Sequence, residues 1–185
     1  MRKMLWAVLY TGLMLGANAA ATGVMADVAS ARPLATGEME KLVFGEAPRA
    51  LPEVQLLDDM DVAKSLQPYA GKWMVLNFWA TWCAPCRKEM PSLERLQAAM
   101  PGIAVVPVAT GRNTVEGIRR FFAEAGVTSL PLLRDPQSDL ARQMGVLGLP
   151  VTVIVSPAGE EVARLIGGAE WDSPEALAVL AALMD

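Results

Sequence analysis

Cys83 and Cys86 are the two cysteines of this chain, and they stand with Ala84 and Pro85 between them. On a helix that spacing sets the thiols one turn apart, close enough to bridge. The run 73–80 (WMVLNFWA) just before them is almost continuously apolar, as in a strand buried on both faces. The residues after them carry helical spacing. A Cys-x-x-Cys between a buried strand and a helix is a redox motif. Cys83 falls at the helix N-terminus, where unpaired amides and the helix dipole stabilise a thiolate, the attacking species. Cys86 lies one turn inside and is expected to be the more buried, resolving the mixed disulfide that Cys83 forms with a partner. Pro85 suits the first helical turn. Two blander readings stand beside this one. A static disulfide over so short a loop would be a weak staple, and two thiols would be half of a structural metal site. The strand–motif–helix context favours redox turnover.

The chain has 185 residues, no His and a formal net charge of −4. The missing His excludes a Ser-His or Cys-His catalytic pair, a His-based metal site and a His pH switch. No cofactor or resident metal is expected. The mild negative charge, with no run of Lys or Arg, argues against nucleic acid as a partner. The length allows one domain plus short extras.

The elements that must position the pair can be read along the chain. Arg2 and Lys3 precede the uncharged stretch 4–26, whose most apolar part, 4–15, is followed by the small-residue run 17–21. Residues 1–26 therefore read as a signal peptide or a membrane anchor; 23 residues are enough to span a bilayer. Both send the remainder outward, to a compartment where disulfides persist. Residues 27–44 lack a clear period and read as a linker, and residues 45–185 as the folded domain. Within it, 53–57 suits an outer strand, 60–69 a short helix, 73–80 and 103–109 buried strands, and 85–100 a helix containing Pro91. Residues 115–125 form an amphipathic helix closed by Gly126, 130–133 a strand, and 138–144 a short helix closed by Gly145. Strands at 151–155 and 161–166 flank the turn 156–159, and Ser173 caps a last helix with Pro174 at its first position. The alternation predicts an α/β domain with a mixed central β-sheet and helices on its faces.

The run 75–89, VLNFWATWCAPCRKE, resembles the active-site segment of the TlpA/ResA/CcmG-like family of thioredoxin-fold proteins. Gly148-Leu149-Pro150-Val151-Thr152 resembles that family's loop before a strand, whose proline is cis and faces the redox pair. The resemblance covers residues 45 to the C-terminus and implies a thioredoxin fold. Between Cys86 and Pro150 lie 63 residues, which implies the TlpA-type central insertion, a strand and a helix around 108–136; an N-terminal extension precedes the domain. Asn77 stands where thioredoxin keeps a buried acid. Glu89 matches an acid of the family that tunes the thiols, and a carboxylate near Cys83 would raise its pKa; a solvated surface Glu is the equal alternative. Trp82 and Leu149 are expected to line an apolar rim where a partner segment docks. Trp79 reads as core.

What the resemblance implies about function is a periplasmic reductant in a bacterium. It would be soluble after cleavage or anchored at the outer face of the cytoplasmic membrane. Its expected partners are disulfide-containing exported proteins of cytochrome c or cytochrome oxidase copper-site maturation, and a membrane thiol relay as electron donor; a monomer is expected. Oxidants of the DsbA type carry Cys-Pro-His-Cys and a large helical insertion, and this chain has neither. A disulfide-forming oxidant or isomerase, or a Cu(I)-binding metallochaperone, is the alternative function. Peroxidase chemistry is excluded, because Pro-x-x-x-Thr-x-x-Cys spacing is absent.

Overall fold

Strand β4 (Met74–Trp79) is buried at every residue, which explains why its sequence is apolar without alternation. It lies in the middle of an eight-stranded sheet; the computed structural model describes residues 27–184. The other strands are β1 (Leu42–Ala50), β2 (Leu56–Leu57), β3 (Ala63–Lys64), β5 (Ala104–Thr110), β6 (Leu133–Asp135), β7 (Val151–Val155) and β8 (Glu160–Ile166). Their spatial order is β1-β8-β7-β4-β5-β6-β2-β3. The β4–β5 and β5–β6 pairs are parallel, while β4–β7, β7–β8 and β8–β1 are antiparallel. The sheet is therefore mixed, as the sequence predicts.

Alternation along β4 divides the core. Val75 and Trp79 point to one face, which α1 (Ala84–Ala99), α2 (Val115–Ala125) and α4 (Pro174–Met184) cover. Met74, Leu76 and Phe78 point to the other, covered by the short α3 (Asp139–Gln143) and by Leu51, Val54, Leu66 and Tyr69. Trp79 stacks on Phe122 with ring centroids 5.6 Å apart and meets Phe121 at 5.4 Å, so it is core as read. The expected insertion is present as α2 and β6, inserted on the way to the loop before β7. Thr114 caps α2 by accepting from the Gly117 amide at 3.0 Å, and Gly126 ends it at φ +70°.

Three expectations are corrected. Residues 27–44 are not a linker. A helical turn at 27–31, two 3-10 turns and the start of β1 pack Val28, Ala31, Met39 and Leu42 into the core. The segment lacks a period because its turns are too short to repeat one. The span 60–69 is not a helix but strand β3 followed by a 3-10 turn, Gln67–Tyr69. Asp58 explains this: its carboxylate accepts from the Met60 and Val62 amides and folds the chain into a tight hairpin. The outer strand expected over 53–57 shrinks to the two residues of β2. The signal or anchor reading of 1–26 lies outside the described residues, and among the described residues no helix is long and apolar enough to cross a membrane.

Candidate active site

Cys83 sits where β4 hands the chain to α1. It is the N-cap of α1, with extended backbone, and its sulfur accepts from the Cys86 amide at 3.3 Å. Cys83 and Cys86 form a disulfide with Cα atoms 5.3 Å apart. Both are buried, Cys86 fully and Cys83 to 5% exposure, the order expected from a helix that dips inward. Pro85 lies in the first turn of α1, where its missing N–H costs no helical bond. Pro91 lies inside α1, and the helix continues through it to Ala99.

The Leu149–Pro150 peptide bond is cis, as the motif implies. Leu149 packs against the cluster that contains both cysteines, and Trp82 is 67% exposed. The two sides of the expected rim therefore differ. Leu149 is partly covered, and Trp82 stands open beside the disulfide.

Glu89 is where the sequence left two readings, and the solvated one is wrong. The side chain is 2% exposed. One carboxylate oxygen accepts from Asn77 Nδ2 at 2.9 Å; the other accepts from the Ala169 amide at 3.2 Å and from Trp171 Nε1 at 3.3 Å. Asn77 also donates to Thr152 Oγ1 at 2.8 Å, so the residue two after the cis proline joins the same network. Burial pushes the Glu89 carboxyl up to about 7, against the lowering effect of these hydrogen bonds and of the Lys41 charge. A group so placed changes protonation near neutrality with little cost in either direction. The place of a buried acid on the strand is thus taken by an amide that holds an acid from the helix.

The loop carrying two of these donors is itself held. Lys41 donates to the Gly168 carbonyl at 2.7 Å, and Glu38 accepts from the Glu170 amide at 2.8 Å. The 3-10 turn Gly37–Lys41 thereby clamps the roof of the acid's pocket. On the opposite side, Asn113 accepts from the Thr81 amide and hydroxyl at 2.8 and 3.0 Å and donates to the Thr110 carbonyl at 3.0 Å. It fastens the approach to Cys83 onto the end of β5. Asn113, Thr114, Gly117 and Pro136 join Trp82 and Arg87, the residues that flank the Cys83–Cys86 segment, in lining a cleft of about 680 Å³. Asn113, Trp171 and the Lys41–Glu38 clamp were not singled out in the sequence; each acts across 30 or more residues, and no local spacing announces that. Thr152 lay inside the quoted motif.

Comparison with known proteins agrees with this geometry. The AhpC/TSA family matches residues 48–162. The chain belongs to that family. Within it, this AhpC/TSA chain is 38% identical over 97 residues to the thiol:disulfide interchange protein HelX of Rhodobacter capsulatus, covering 52% of this chain and 53% of HelX. It is 32% identical over 115 residues to the thiol-disulfide oxidoreductase ResA of Halalkalibacterium halodurans, covering 61% and 65%. A crystal structure from Chlorobium tepidum, assigned as thiol:disulfide interchange protein DsbE, superposes with a TM-score of 0.61 at 26% identity, over 74% of this chain and 96% of that one. The fold is thioredoxin-like, consistent with a TlpA/ResA/CcmG-like member. The matches span from 53% to 65% of the length of these two curated relatives.

Proposed function

We propose that this protein is a thiol–disulfide oxidoreductase that reduces disulfides of specific exported proteins through Cys83 and Cys86. The observation that carries the reading is the disulfide at the N-terminus of α1 with the buried Glu89 one turn further along the same helix. A disulfide kept only as a staple needs neither a titratable acid nor a helix terminus aimed at its first sulfur. The names of HelX, ResA and DsbE support the same chemistry.

In the proposed cycle the Cys83 thiolate, held by the Cys86 amide and the helix dipole, attacks one sulfur of the partner's disulfide. A mixed disulfide forms and one partner thiolate leaves. The Cys86 thiol then gives its proton to the Glu89 carboxylate and attacks Cys83 Sγ. The second partner thiolate leaves, and the bonded pair of this structure results. Two electrons pass from the protein's dithiol to the partner. A carboxyl near 7 accepts that proton at neutral pH and returns it when the pair is reduced again. The compartment is the outer side of the cytoplasmic membrane, and a membrane thiol relay returns the electrons. The partners are exported proteins of cytochrome c or cytochrome oxidase copper-site assembly.

Equilibration with a graded dithiothreitol or glutathione buffer tests the direction. A potential near about −270 mV or lower is expected of a reductant, and one near about −120 mV would make the protein a disulfide-forming oxidant.

A further inference from the structure

The cleft beside Trp82 is lined by positive charge. Arg87, Arg112 and Arg120 line it, and no Asp or Glu does, although the chain carries a net charge of −4. Five arginines elsewhere are paired with carboxylates: Arg95 with Asp172 and Glu170, Arg119 with Asp59, Arg134 with Asp61, Arg142 with Asp139 and Arg164 with Glu161; Arg32 lies over the Phe44 ring and Arg49 donates to the Gln143 carbonyl. Arg87 is half committed, reaching Glu124 at 3.5 Å and lying 4.5 Å over the Phe121 ring. Arg112 and Arg120 are exposed, and among the described residues their side chains make no hydrogen bond, ion pair or ring contact.

Position ties this charge to the chemistry. Trp82 directly precedes Cys83, and its indole N–H donates to the Arg112 carbonyl at 3.3 Å. The indole, 67% exposed, and the loop that carries Arg112 are therefore joined. Asn113 fastens the same loop to Thr81. The cleft, at about 680 Å³, has room for a few residues of an extended chain. Its lining includes the polar side chains of Thr81, Asn113, Thr114 and Gln137 and the indole of Trp82, and its free groups are forked guanidinium donors suited to a carboxylate.

We propose that this cleft is the docking groove for the polypeptide beside a partner's reacting cysteine, and that Arg112 and Arg120 select partners with an Asp or Glu there. The proposal rests on the oxidoreductase reading and specifies its substrate class. Charge complementarity favours an acidic peptide segment over a neutral or basic one, and acts mainly through the rate of productive encounter. The carboxylate holds the segment in the cleft while its disulfide meets Cys83. The sulfur chemistry is unchanged: the partner's disulfide becomes two thiols and the protein's dithiol becomes the disulfide.

The test uses the full chain, reduced with dithiothreitol and freed of it, reacted with three disulfide-linked peptides that differ at one residue beside the cysteine: Glu, Gln or Lys. Tryptophan fluorescence in stopped flow gives each rate, expressed against the rate with neutral 2,2′-dithiodipyridine for the same variant. The Glu peptide should react about tenfold faster than the Lys peptide, with a difference that shrinks as salt rises. In R112A/R120A that ratio should fall toward one, and in R112E/R120E it should invert. Equal normalised rates for the three peptides in the unaltered protein overturn the proposal, as does a preference that survives R112E/R120E. Suppression of all three peptides alike by inorganic phosphate, with no preference among them, would assign the cleft to a free anion instead. Concentration-dependent self-association abolished by R112E/R120E, again without peptide preference, would assign it to a second copy of this chain. A protein inert toward dithiodipyridine loses the oxidoreductase reading itself, a failure distinct from loss of preference among reactive peptides.

Discussion

Glu89 and Asn77 show what one buried carboxyl requires. Substitution Glu89→Gln keeps the shape and removes the proton. The Asn77 amide can turn over to present its oxygen, which has no partner among the described residues, to the new side-chain NH2. Thr152 can then donate its hydroxyl instead of accepting. The variant should fold, and resolution of the mixed disulfide by Cys86 should slow by about 100-fold at neutral pH. It should also lack the rise in rate through about pH 7 expected of the native protein if Glu89 takes the Cys86 proton. Single-turnover kinetics across that range measures both effects, and an unchanged profile would remove Glu89 from the proton path. Cys83→Ser should abolish turnover with every disulfide. Cys86→Ser should instead trap the mixed disulfide, seen as a mass increase equal to the bound partner half.

The active-site elements were legible in the sequence because each is defined by a local pattern. The all-apolar run of β4, the Cys-Ala-Pro-Cys opening of α1 and the Gly-Leu-Pro turn into β7 are contiguous strings, and the structure puts them together. What escaped is made of contacts between distant segments. The 3-10 turn Gly37–Lys41 has no period to read, yet it holds the loop over Glu89 through Lys41 and Glu38. Removing the Lys41 charge by Lys41→Gln should raise the Glu89 carboxyl further, because that charge lowers it. The pH midpoint of Cys86 resolution should move upward with it. Deleting residues 27–36 strips Val28 and Ala31 from the core and should cost about 2 kcal/mol or more, read as a lower urea midpoint. If the midpoint does not move, the segment is not integral to the fold. Asn113 belongs to this class of contact too, since it joins Thr81, just past the end of β4, to the end of the neighbouring β5.

At the scale of the whole molecule, the raised Glu89 carboxyl couples stability to pH. Below about 4.5 both folded and unfolded chains hold the proton. Between 4.5 and about 7 the folded protein keeps it while the unfolded chain releases it, so stability falls as pH rises through that window. Glu89's share is fully present below 4.5 and lost above about 7, and amounts to about 3 kcal/mol. The stability of the native protein relative to Glu89→Gln in urea should fall by roughly that amount from acid to neutral pH; a pH-independent difference would contradict it. The eight-stranded sheet has a further consequence, at its two ends. One edge is β3, only two residues long, and the other is β1, where the register slips between Phe44 and Arg49 and Pro48 interrupts the row of donors. A neighbouring molecule finds at neither end a long, flat ladder of free amides and carbonyls to extend. The sheet's open ends are thereby guarded against runaway polymerisation, so a chain folding in a crowded compartment can complete its sheet without seeding fibres.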